Sequence, residues 1–211
     1  MDTRTSRRVL GLSLAGVVAA MVMVASLAGT GAAASKHIQF RMLRSTGAVT
    51  AGCIPHARAR VTVTSQGPVE VMRVHARGLP KNTDFDLFVI QVPNAPFGLS
   101  WYQGDLESDS NGAAHGTFVG RFSFETFTVA PGVAPAPVVH HHLPFPDASQ
   151  NPATGPVHQY HLGLWFNSEI DAANAGCPAT VTPFNGNHHA GVQALSTRNF
   201  GDANGPLRQL Q

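Results

Sequence analysis

Seven of the chain's 11 histidines fall between His140 and His189: His140, His141, His142, His158, His161, His188 and His189. Neutral imidazole is a good ligand for copper and zinc, so these residues have the most chemistry to offer. Their spacing restricts how they can be used. His158 and His161 are three apart, so on one extended strand they face opposite sides and cannot share an ion. Consecutive histidines meet the same obstacle unless the loop bends. A copper or zinc site therefore has to be assembled between loops, from His140, His141 or His142 together with His188 or His189. The alternative is a polar, Pro-rich loop with solvated imidazoles and no cofactor.

Other chemistry is thinly represented. Glu107, Asp109 and Asn111 alternate ahead of Gly112, like the opening of an EF-hand calcium loop. The twelfth position counted from Glu107 is Phe118, so the bidentate Glu is missing, and Asn111-Gly112 reads as a hairpin turn instead. There is no Gly-x-Ser-x-Gly elbow, no His-Glu-x-x-His and no phosphate-cradling glycine loop. Asp105 and Glu107 are paired carboxylates, but nothing puts a cleft between them. The chain does not read as an enzyme, and an extracellular hydrolase ranks behind a metal protein. Among the aromatics, Trp165 reads as core, whereas Trp101 and Tyr102 are the ligand-binding candidates because they can present flat apolar faces at low entropic cost.

The elements that must position these residues are strands. Residues 84–121 set the pattern: an apolar strand (Phe85, Leu87 and Val89 on one face, Phe88 and Ile90 on the other), a Pro/Gly-broken connection, an aromatic strand, an acidic turn and a Gly-rich strand. Apolar residues on both faces make the first of these a central, covered strand. Earlier, 37–42 and 58–65 alternate, the latter with Arg60, Thr62 and Thr64 outward and Val61 and Val63 inward. Residues 69–77 change phase after Val71, which predicts a β-bulge. Residues 160–167 are the last strong strand, followed by a short helix capped by Ser168 and ended by Gly176, then a strand over 192–197. Residues 131–157 read as one long Pro/His-rich loop, and 199–211 as a polar tail.

Residues 1–34 carry Arg4, Arg7 and Arg8, an apolar run, and Ala32-Ala33-Ala34. They read as a Sec or twin-arginine signal peptide. Without them the chain has 11 basic and 11 acidic residues, so its basic pI is no nucleic-acid footprint, and no membrane association is expected after cleavage. Cys53 and Cys177 are the only cysteines, and in an exported chain they are expected to pair.

The segments Gly78–Phe122 and Tyr160–Thr197 resemble those of an uncharacterised family of secreted actinobacterial proteins. Gly78-Leu79-Pro80 before a strand, and the turn from Asp109 to Gly112 before another, resemble immunoglobulin-like exported β-sandwiches. The resemblance implies a secreted sandwich and brings no activity or cofactor. The resulting expectation is an all-β, immunoglobulin-like antiparallel sandwich over 35–198 with one short helix. It would be an extracellular, non-catalytic binding or cell-surface module whose partner is an extracellular ligand or cell-surface component.

Overall fold

The structure, a computed structural model, describes residues 36–122, 127–131, 154–182 and 189–210. In chain order these form β1 (His37–Arg44), α1 (Thr46–Thr50), β2 (Arg58–Gln66), β3 (Val69–Arg77), β4 (Asp84–Ile90), β5 (Ser100–Glu107), β6 (Ala114–Gly120), β7 (Phe127–Pro131), β8 (Thr154–His158), β9 (His161–Phe166), α2 (Glu169–Asn174), β10 (Gln193–Ser196) and a 3-10 helix, Pro206–Leu210. Eight strands join in the order β5-β4-β9-β10-β1-β2-β3-β6, every pair antiparallel, and β7 and β8 form a separate ribbon.

The eight-stranded sheet is a nearly closed sandwich or barrel. Residues 37–42 of β1 pair with β2, and its last two residues, Leu43 and Arg44, pair with β10, so β1 passes from one layer to the other. The opposite seam is closed at one point, a bridge from Ser108 to Ala114. Asn111-Gly112 therefore turns a corner between the two layers and does not head a continuous hairpin. The period-2 alternation is strict enough to fill the space between. Phe40, Val61 and Val74 from one layer meet Phe85, Leu87 and Leu164 from the other, all in one buried cluster. Each such side chain contributes roughly 1.5–3 kcal/mol by leaving water.

Several local expectations are revised. β3 pairs without irregularity on both sides, so there is no bulge in 69–77. Its inward phase begins one residue earlier than the apolar pattern suggests, with Glu70. That buried carboxylate accepts the backbone N–H of Phe122, so a polar residue occupies a core position without an orphaned charge. The bulge lies instead in β5, where Leu87 faces Gly104 and Phe88 faces Tyr102. There are two short α-helices, not one: α1 is capped by the Ser45 hydroxyl, which accepts the N–H of Ala48. The ends of the stretch 131–157 are strand, in β7 and β8, and 132–153 lie outside the described residues. Residues 199–210 are no polar tail: Leu207 and Leu210 are buried and Leu207 donates its N–H to Tyr160 O.

The helix after β9 forms as the sequence indicates. Ser168 Oγ accepts from Asp171 N at 3.0 Å, and Gly176, at φ 73°, turns the chain into Cys177. Cys53 and Cys177 are bonded, with Cα atoms 5.2 Å apart and a sequence separation of 124. Closing so long a loop restricts the unfolded chain, which is worth on the order of 4 kcal/mol. Reduction, or the double change C53A/C177A, is expected to lower unfolding free energy by about that amount in urea titration. An unchanged midpoint would show that the bridge adds nothing to stability.

Candidate functional site

The outward positions of β1, β2, β3 and β6 are where unpartnered charge collects. Arg41, Arg60, His75 and His115 face one another in a single row across the four strands. The next row in one direction is Gln39, Thr62, Arg73 and Thr117, and in the other direction Arg58 lies opposite Arg77. No outward position of these strands is Asp or Glu. Because inward positions alternate with them and are apolar, the arginines have no inward option. Among the described residues, none of Arg41, Arg60, Arg73 and Arg77 has a carboxylate partner. Like charges directly opposite on neighbouring strands destabilise a sheet, so pairing Arg41 with Arg60 and Arg58 with Arg77 works against the fold.

The rows line a half-open depression of about 660 Å³ that includes Arg41, Arg58, Arg60, Arg77, His75 and His115. At its β3–β6 side the Nδ1 atoms of His75 and His115 are 2.7 Å apart, with ring centroids 4.8 Å apart and planes at 75°. Chemically the surface is a set of N–H donors of fixed positive charge around an imidazole pair. It suits an acceptor-rich anion.

The second layer differs. Its carboxylates pair with each other, Asp84 opposite Glu107 and Asp86 opposite Asp105. Its outer face is largely covered: Phe97, from the loop after β4, folds onto Trp165 with centroids 5.0 Å apart, and Phe88 and Ile90 join that cluster. Trp165 is thus buried, in a small second core on the outside of the sheet. Ordinary alternation along β5 puts Trp101 and Tyr102 on opposite faces. Trp101 packs partly into the main core. Tyr102, 49% exposed, lies on the outer face with Phe88 and donates its hydroxyl to Asp105 Oδ1 at 2.6 Å. On a regular strand residues three apart face opposite sides; the bulge brings Tyr102 and Asp105 together. Partial desolvation, that hydrogen bond and the charges of Asp105 and Asp86 push the phenol up to about 12, so it stays a donor.

In the acidic turn, Asp109 accepts the N–H groups of Asn111 and Ala113 at 2.8 and 2.9 Å, which holds its carboxyl below the usual range. Its oxygens are engaged in turn structure, and among the described residues no group of three His, Cys, Asp or Glu is placed to hold a metal. His140, His141, His142 and His188 lie outside the described residues. His189 is exposed, with Nδ1 3.9 Å from Glu169 Oε2. His158 stacks on Tyr160. The arginine face was legible as Arg58-x-Arg60 and Arg73-x-His75-x-Arg77 on alternating strands; a balanced total charge concealed it.

Comparison of the chain with protein families, with characterised proteins and with solved structures gives no match.

Among the described residues, His161 is the one fully buried histidine. Its Nε2–H donates to Asp202 O at 3.1 Å and its Nδ1 accepts from Thr197 Oγ1 at 2.9 Å, an arrangement that uses the neutral ring. Burial lowers its pKa, against hydrogen bonds that raise it. The unfolded chain therefore binds a proton that the folded chain resists. Stability is expected to be full above the ordinary histidine value of about 6.5 and to decline as pH falls below it. Urea unfolding across that window should show a shallower slope in H161Q; an identical slope would place the titrating group elsewhere.

Proposed function

We propose that the protein is an exported, non-catalytic binding module that holds an anionic extracellular or cell-surface component against the outer face of the β1-β2-β3-β6 layer. The observation that carries this reading is the row Arg41–Arg60–His75–His115, flanked by further arginines and free of carboxylates. Opposed like charges that weaken the sheet make sense where a ligand neutralises them. A signal peptide over 1–34, an extracellular setting, an immunoglobulin-like form of the sandwich and kinship with secreted actinobacterial proteins belong to the same reading. The disulfide supports it.

The face has arginines and imidazoles but no Phe, Tyr or Trp ring, which favours a polyanion held through its charge over one held by stacked bases. Dextran sulfate should bind in a salt-dependent way, neutral dextran should not, and oligothymidylate of matched charge should bind no tighter than dextran sulfate. Reversing two charges in R60E/R77E is expected to weaken dextran sulfate binding at least about ten-fold, or ~1.4 kcal/mol. Undiminished binding in that variant, with loss in W101A or Y102A, would move the site to the aromatic strand.

A further inference from the structure

Reading this face as an anion surface gives a particular role to the imidazole pair on its β3–β6 side. At 2.7 Å one Nδ1 of the His75–His115 pair carries a hydrogen and the other a lone pair, since two N–H groups cannot point at each other at that distance. With both rings neutral, the donor ring has a bare Nε2 and the acceptor ring an Nε2–H. The next proton from solvent adds to the bare Nε2. It makes the shared hydrogen bond charge-assisted and gives the pair two Nε2–H donors. A further proton would have to take the lone pair that accepts the bond. The pair is thus built to take one proton as a unit, and a second only by separating.

Arg41 of β1, Arg58 and Arg60 of β2, and Arg73 and Arg77 of β3 share the face with the pair. Asp109, at the corner between β5 and β6, is the carboxylate that interacts with His115, and it already accepts two backbone N–H groups. An oxyanion lying in the depression is held by the arginines and accepts from the new Nε2–H donors. Ligand and proton then favour each other, and the coupling is reciprocal. The ligand that gains most is one whose oxygens only accept and stay charged as the pH falls, which describes sulfate esters and phosphodiesters.

We propose that the His75–His115 pair takes up one proton as this face binds a sulfate- or phosphodiester-bearing polymer, so that the polymer is held more tightly as acidity rises.

Calorimetric titration of the chain from Ser35 onward with dextran sulfate, in two buffers of different ionisation enthalpy near pH ~6.5, reads the protons taken up. Uptake approaching about one proton per bound segment is expected, with affinity rising by up to about ten-fold for each unit of pH lowered. H75Q/H115Q, which removes both imidazoles, should lose the uptake and the pH dependence, so that whatever affinity the arginines retain no longer changes with pH. Wild-type binding without buffer-dependent heat, or H75Q/H115Q with undiminished uptake, overturns the proton linkage and leaves the anion surface standing. No binding by the wild type, or undiminished binding in R60Q/R77Q, overturns the surface and the linkage together.

Discussion

A curled antiparallel sheet has two edges, and in this protein the corner at Ser108 determines how they meet. Ser108 Oγ accepts the N–H of Thr83 at 3.0 Å and donates to Pro80 O at 2.6 Å, while Ser108 N donates to Thr83 O. Leu79 N reaches Gly112 O and Asn82 N reaches Asp109 O, so the turn before β4 and the turn before β6 are stitched into one unit. Gly112 is required there: φ is 76°, and an added Cβ would lie 2.2 Å from Leu79 O. With this corner held, β5 and β6 diverge into different layers but remain neighbours. Phe118 closes the remaining gap from within, against space left by Gly104 and Gly116. Unpaired strand edges invite aggregation, and near-closure removes most of that exposure.

Closure also separates the two outer faces into different roles. On the β4 side, the loop over 91–99 returns to cover Phe88 and Trp165, which uses that face for stability. On the β2 side the inward phase is apolar apart from the end at Glu70, and the outward phase, apart from Val69, Val71 and Val119 at one end, is left largely to arginine, histidine and threonine. Four carboxylates, Asp84, Asp86, Asp105 and Glu107, sit on the β4–β5 pair, in the other layer. Residues 35–211, with 11 basic and 11 acidic side chains, thereby carry their charge unevenly, and an uneven charge distribution creates a local field at each face.

The strands and core followed from alternation alone because period 2 and turn chemistry are local properties. Val61 and Val63 point inward, β4 is covered on both faces, and Ser168 caps α2. What escaped was set by tertiary partners. Nothing near Glu70 announces that Phe122, 52 residues later, will supply its hydrogen-bond donor. The β5 bulge has no apolar phase change to betray it, since Gly104 interrupts the pattern at that point. Leu207 and Leu210 lie in a polar segment whose burial depends on docking to Tyr160. Even so, the arginine face was written in the spacing of single strands; it needed the register between strands to become a row.

That register matters more than the number of charges. Five arginines scattered over a domain of this size would be screened from one another beyond about 10 Å at ordinary ionic strength. Adjacent strands lie roughly 4.8 Å apart, well inside that distance, so the charges in one row act together. A one-residue slip of β2 or β3 would send Arg60 or His75 into the core and Val61 or Val74 to the surface. The hydrophobic core thus holds the cationic row in place: the same alternation that buries Val61 and Val74 aligns Arg60 with His75. The packing of the interior and the alignment of the arginine row then depend on one property of the chain, the pairing register of four strands.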